Sequence, residues 1–111
     1  MNVRGFAALA KMHRFRMDEH RRKAAEIEQM RLQFIEKDAA LEQQLQHEKT
    51  VLNPSDMALT DFAAYMKGVE LRREELAKSI AETTRHLARI NAAMAIEYRE
   101  AKKFELAMER E

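Results

Sequence analysis

The chain has 111 residues, a formal net charge of +1, two glycines, one proline and no cysteine. Charged residues make up 35% of it, which together with the scarcity of turn residues is typical of long helices rather than of sheets. The lack of cysteine excludes disulfides and thiolate metal sites, and the nearly balanced charge identifies no partner.

The first half of the chain is predicted to form one helix, from about residue 3 to residue 52. No proline occurs in it, and seam residues recur in steps of three and four, as they do in a coiled coil. These seam residues are Phe6, Ala10, His13, Met17, His20, Ala24, Ile27, Arg31, Phe34, Asp38, Leu41 and Leu45. Some are polar or charged, so the seam is unevenly filled.

The sequence Asn53-Pro54-Ser55-Asp56 is the only break in the helical pattern. Proline disfavours helix in the residue before it, so Asn53 should end the first helix, and either Asn53 or Ser55 can cap the second. We predict a turn at about residues 53–56 within a single domain. The two helices then fold back as an antiparallel hairpin, or else the chain opens and pairs with a second copy.

The second helix is predicted from about residue 57 to residue 109. Its seam residues are Phe62, Met66, Val69, Arg73, Leu76, Ile80, Thr83, Leu87, Ile90 and Met94. Ala101, Phe104 and Met108 continue the seam after a predicted slip near Glu97 and Tyr98. Gly68 lies inside this helix, either as a tolerated surface glycine or as a point of close approach by a partner.

The charged seam residues predict the register of the hairpin. In an antiparallel pair the numbers of facing residues have a constant sum, and a sum of 110 to 111 places Asp38 opposite Arg73 and His13 opposite Glu97. A sum near 107 would leave the seam charges unpaired. Breaking such a pair costs more than forming it gains, so the pair selects the register more than it stabilises the fold. The predicted fold class is all-α, with two long helices in an antiparallel coiled-coil hairpin.

No group of residues in the sequence predicts a catalytic or metal-binding site. His13 and His20 are seven positions apart, whereas a helical metal site needs closer spacing and further ligands. No phosphate-binding loop or nucleophile motif occurs, and a two-helix rod offers no concave site. We therefore expect no enzyme, no catalytic residue, no metal, no cofactor and no small-molecule substrate. The longest apolar runs are about five residues, too short for a membrane span of about 20, so we expect a soluble protein.

Charge is unevenly distributed along the chain. Residues 1–25 contain seven basic residues against two acidic ones, whereas residues 50–62 contain two acidic residues and no basic one. This pattern is compatible with a solvated helix face, and it also suggests docking of the chain ends on an acidic partner. Binding to nucleic acid is not predicted, because the net charge is small and no reading motif is present.

The start of the chain has a distinctive run of helical segments: Phe6-Ala-Ala-Leu9, the basic stretch Lys11–Arg16 and the segment Asp18–Glu26. These segments resemble the start of the FliJ family of flagellar export proteins. The segment Tyr98–Glu109 resembles its closing part. The resemblance covers the whole chain, which is shorter than typical members.

The resemblance implies an antiparallel hairpin similar to the coiled coil of the rotary ATPase gamma subunit. Such a protein is a non-enzymatic component of the flagellar type III export apparatus, needed for flagellum biogenesis and motility. It is expected in the cytoplasm, peripherally associated with the inner membrane at the flagellar base. The implied partners are the hexameric export ATPase (FliI-like), the export gate protein (FlhA-like) and export chaperones. The free protein is expected to be a monomer.

Charge and position, rather than a family motif, suggest the contact residues. The candidates for the ATPase ring are Arg14, Arg16, Arg21, Arg22, Lys102 and Lys103. The candidates for the gate protein are Leu45, Phe62 and Tyr65. The alternative function is that of a generic antiparallel coiled-coil scaffold or a holdase chaperone.

Overall fold

The protein is all-α, as predicted. The structure, a computed structural model, describes residues 2–51 and 56–110, which form two long helices. Helix α1 spans Val3–Val51 and helix α2 spans Asp56–Arg110, so each end lies within one residue of its predicted position. The predicted break at Asn53 and Pro54, with the choice of capping residue there, lies outside the described residues.

Asn2 caps the first turn of α1. Its side-chain oxygen accepts a hydrogen bond from the backbone N–H of Gly5 (2.8 Å), a donor that has no partner within the helix. The backbone N–H of Phe6 donates to the Asn2 carbonyl oxygen (3.0 Å) and begins the helical ladder. Lys49 and Arg110 lie in the last turns of α1 and α2, where positive charge favours the helix C-terminus.

The helices contribute to two compact units. The terminal unit consists of Met1–Glu28 and Arg85–Glu111, and the middle unit consists of Gln29–Thr84. In each unit a segment of α1 packs antiparallel against a segment of α2.

The predicted seam forms the core of both units. Every seam residue predicted above is buried or half-buried, and none is exposed. The buried seam residues of the terminal unit are Ala10, Met17, Ile27, Ile90 and Ala101, and those of the middle unit are Leu45, Val69, Leu76 and Thr83. The Thr83 hydroxyl donates to a backbone carbonyl of the preceding turn, that of Ser79 or Ile80 (2.9 Å to each), so this polar seam residue is satisfied.

Contacts in each unit confirm the predicted register. In the middle unit the Arg73 guanidinium reaches the Asp38 carboxylate, and in the terminal unit His13 bonds to Glu97. The seam does not slip near Glu97 and Tyr98, contrary to the prediction. Glu97 itself occupies a seam position, and Ala101, four residues later, is fully buried. The acidic residue is accommodated by its bond to His13, so the three-and-four spacing continues unbroken.

Candidate functional site

Arg73 links the two helices of the middle unit through two carboxylates. Its Nε donates to Oδ1 of Asp38 (2.8 Å), and its Nη1 donates to a carboxylate oxygen of Glu42. Asp38 and Glu42 are four residues apart and so lie on the same face of α1. The predicted pair is therefore confirmed, and Glu42 is an additional partner that the sequence prediction missed. The sequence feature that could have identified Glu42 is its position four residues after Asp38.

Within this cluster, Arg73 and Asp38 shift each other's pKa. The hydrogen bond and charge of Arg73 hold the pKa of Asp38 below its ordinary value, although partial burial acts in the opposite direction. Reciprocally, Asp38 raises the pKa of Arg73, with a smaller contribution from Glu42. Both carboxylates are acceptors for the same guanidinium, so the cluster is a structural ion-pair network.

A second polar contact lies in the core of the terminal unit. His13 Nδ1 is 2.5 Å from Glu97 Oε2, and the two side chains are only 13% and 15% exposed. The His13 ring stacks on Phe104, with ring centroids 5.8 Å apart, and Phe104 also stacks on Phe6 at 6.2 Å. The aromatic rings shield the pair from water, so the polar contact and the hydrophobic contacts fix the same register.

Arg14, a candidate for the ATPase ring, already has partners within the terminal unit. It donates to both carboxylate oxygens of Glu105, the shortest distance being 2.6 Å, and its guanidinium lies 5.4 Å from the centre of the Tyr98 ring. Helical side chains lean toward their own N-terminus, so in an antiparallel pair those of Arg14 and Glu105 lean toward each other. This explains how two residues that do not face each other in the register are bonded.

The other α1 candidates lie on the surface. Arg16, Arg21 and Arg22 are exposed, and Arg21 donates to Asp18 (2.6 Å) one turn earlier on the helix. Arg16 and Arg22 form no ion pair with any residue that the structure describes. Among the four α1 candidates, these two are the ones whose charge is not compensated by a described carboxylate.

The α2 candidates differ from each other. Lys103 forms an ion pair with Glu100 (2.9 Å), and this hydrogen bond lowers the pKa of Glu100. Lys102 has no carboxylate partner among the described residues, but its ammonium lies 5.8 Å from the centre of the Tyr98 ring. The six predicted cations therefore belong to one unit but do not form one uniform cluster.

The residues proposed for a gate contact are not equally accessible. Leu45 is buried in the seam, with 7% of its surface exposed, so its side chain cannot contact a partner while the helices are paired. This prediction is corrected, and the reason is that Leu45 is itself a seam residue. Phe62 and Tyr65 are half-buried and pack with ring centroids 6.3 Å apart. The Tyr65 hydroxyl is buried without a hydrogen-bond partner in the described part of the chain.

Net charge separates the two units. The terminal unit contains thirteen Lys and Arg against nine Asp and Glu, a net charge of +4, whereas the middle unit contains seven against ten, a net charge of −3. A surface with this bias attracts partners of opposite charge and speeds their association. The terminal unit is thus the part of the chain suited to an acidic protein surface.

Residues 2–51 and 56–110 contain no group of three or more His, Cys, Asp or Glu side chains that could hold a metal ion. Neither helix, within these same ranges, has a stretch apolar enough to cross a membrane. Comparison of the chain with protein-family models, curated proteins and solved structures finds no match.

Proposed function

We propose that the chain is a non-enzymatic stalk of the flagellar type III export apparatus, similar to the FliJ family. In this role its terminal unit binds the hexameric export ATPase, and its middle unit contacts the export gate protein. The observation that carries the proposal is an antiparallel pair of long helices whose terminal unit has a net charge of +4 and exposed, uncompensated cations.

The differences among the cations rank them as ATPase contacts. Arg16, Arg22 and Lys102 have no carboxylate partner in the described chain, so they can pair with an acidic ring without losing an internal bond. Arg14 and Lys103 would have to exchange bonds to Glu105 and Glu100. The exposed pair of Lys103 and Glu100 is worth about 0–1 kcal/mol, so its exchange costs little and gains little. The pair of Arg14 and Glu105 is half-buried and bidentate, so breaking it costs more.

The gate contact is proposed at the ring pair of Phe62 and Tyr65. Half-buried aromatic side chains that keep part of their surface accessible are common anchors of protein interfaces. Exposed Leu59 (46%) precedes Phe62 by one turn of the helix and extends the apolar surface. Leu45 is buried in the seam and is no longer part of the proposed contact.

The test is ATP hydrolysis by the cognate flagellar export ATPase, with and without the purified chain. We expect stimulation by the wild type and a large loss of stimulation in Arg16→Glu/Arg22→Glu. The matched control is Lys67→Glu/Lys78→Glu, which makes the same charge change at exposed positions of the middle unit. The control should stimulate like the wild type, because the proposed contact is in the terminal unit.

Exposed apolar side chains favour a second candidate, a scaffold or holdase. Leu32, Ile35 and Leu71 are 37–54% exposed in the middle unit, and such residues can bind unfolded segments. This candidate predicts no effect on the ATPase and no co-elution with it, together with suppressed aggregation of an unfolding client such as citrate synthase. That combination of results would replace the export proposal.

A further inference from the structure

The terminal unit has an apolar groove along one side of its helix pair. The groove has a volume of about 500 Å³ and is open to solvent. Met17 from α1 and Met94 from α2 line it where the helices meet, and Asn91, Ala95 and Tyr98 line it along α2. Ala95 is exposed, so a small side chain leaves space that a larger apolar group can fill. An open channel of this kind suits an elongated occupant better than a small molecule, which needs an enclosing cleft.

Positively charged side chains lie beside the apolar residues that line the groove. Arg99 also lines the groove, and the ring of Tyr98 lies within 6 Å of both the Arg14 guanidinium (5.4 Å) and the Lys102 ammonium (5.8 Å). Glu105 compensates Arg14, whereas Arg99 and Lys102 form no ion pair with any described residue. The uncompensated charge at the groove is therefore positive, in agreement with the net charge of the whole unit.

We propose that the groove binds an acidic amphipathic α-helix of a partner protein. Apolar residues spaced three and four apart on that helix pack on Met17, Met94 and Ala95, and flanking carboxylates pair with Arg99 and Lys102. A third helix laid against a two-helix seam follows ordinary helix packing, and helix-in-groove recognition uses this spacing of anchors. The flexible side chains of Met17 and Met94 can adapt to different apolar anchor residues.

Charge and packing together select this occupant over a second copy of the chain. Another terminal unit would bring a further net charge of +4 to the groove. The middle unit of another copy has a favourable net charge of −3, but its seam of apolar residues spaced three and four apart is packed within the unit and is not available to supply anchors. An acidic helix from a different protein has neither disadvantage. The proposal does not depend on the export function, because any protein with such a helix could supply the occupant.

The proposal is tested with a synthetic helical peptide as the probe. The probe has leucine at alternating third and fourth positions and glutamate on both sides of that stripe, with the same peptide carrying lysine for glutamate as control. Binding of a fluorescein-labelled peptide to the full chain is followed by anisotropy at low and high salt. We expect the acidic peptide to bind, the affinity to fall as salt screens the charges, and the lysine peptide to bind much more weakly.

Two variants locate the binding site. Ala95→Glu fills the groove and adds a negative charge, and we expect it to weaken binding by about tenfold or more. Ala92→Glu makes the same change at an exposed position outside the groove and should bind like the wild type. Both positions are exposed, and circular dichroism checks that both variants remain helical.

Three results would overturn the proposal. The first is equal binding of the acidic and the lysine peptides, or binding unaffected by Ala95→Glu. The second is a concentration-dependent dimer of the chain, seen in sedimentation equilibrium and abolished by Ala95→Glu, which would identify a second copy as the occupant. The third is Ala95-dependent binding to phosphatidylserine vesicles without binding of the peptide. Failure to stimulate the ATPase, with peptide binding intact, would contradict only the proposed export function.

Discussion

The guanidinium of Arg73 bonds to the carboxylate of Asp38 across the two helices of the middle unit, at 2.8 Å and over 35 positions of sequence. Both residues occupy seam positions, where a coiled coil ordinarily has apolar side chains. Glu42 accepts a second bond from the same guanidinium. A shift of one turn would leave these charges opposite apolar residues, so the cluster penalises alternative registers.

Replacing Arg73 with leucine is expected to destabilise the protein, because Asp38 and Glu42 then lose their shared cation. The double variant Arg73→Leu/Asp38→Leu should recover part of the loss, since the unpaired seam carboxylate is gone. Arg72→Leu is the matched control, because the Arg72 side chain is 56% exposed. Its ion pair with Glu75 is long, at 3.7 Å, and lies on the surface of one helix. Urea unfolding measures the free energy of each variant. Arg73→Leu as stable as the wild type would contradict the role of the pair.

The lowered pKa of Asp38 predicts how stability depends on pH. A carboxyl group with a folded-state pKa below its unfolded-state value stabilises the fold above the unfolded value, about 3.9 for aspartate, and loses that contribution as pH falls through the folded value. Asp38→Asn should therefore be less stable than the wild type at neutral pH, and the difference should shrink below about pH 4. Urea midpoints measured for both proteins across the acidic range test this. Parallel curves would show that Asp38 is not the titrating group. Glu100, whose pKa Lys103 lowers, retains the same dependence in both proteins.

The fold could be predicted because it depends on spacing alone. A three-and-four repeat, few glycines and a single proline determine two helices, and opposite charges at Asp38 and Arg73 determine their register. Contacts made by long side chains could not be predicted in the same way. Arg14 reaches Glu105, and Lys102 reaches the Tyr98 ring, through rotamers that seam spacing does not specify. Leu45 lies near the predicted turn, but its seam position buries its side chain and so removes it from the accessible surface.

Leu76 and Leu71, two leucines of α2, test which residues form the buried seam. Leu76 is buried at 4% exposure, whereas Leu71 is 54% exposed. Leu76→Ala should lower the free energy of unfolding by about 2–5 kcal/mol, since it removes buried methyl groups and leaves a cavity. Leu71→Ala should change it by no more than about 0.5 kcal/mol. Chemical denaturation measures both, and equal effects would contradict the assignment of the core.

Two interpretations of Gly68 can be tested: a tolerated surface glycine, or a point of close approach by a partner. A Cβ added there would meet no atom within 4 Å, and the backbone has no positive φ. Gly68→Ala should therefore stabilise the protein by about 0.5–1 kcal/mol, because alanine favours the helix. Ala81→Gly, at another exposed position of α2, is the reverse control and should lose a similar amount. If Gly68→Ala gains stability but loses binding to a partner, the close-approach interpretation is correct.

Ala10 and Ala101 test the antiparallel pairing of the terminal unit. They are 6% and 0% exposed, and their numbers fit the register set by His13 and Glu97. In Ala10→Cys/Ala101→Cys, a disulfide should form within one chain under mild oxidation, because two small seam residues bring the helix backbones close together. The pair Ala8→Cys/Ala101→Cys is the control, since Ala8 is exposed and lies on another side of α1. Non-reducing electrophoresis separates a faster-migrating monomer from a cross-linked dimer. A dimer band alone would mean that α1 pairs with α2 of a second chain, and the hairpin would be replaced by an opened, intermolecular coiled coil.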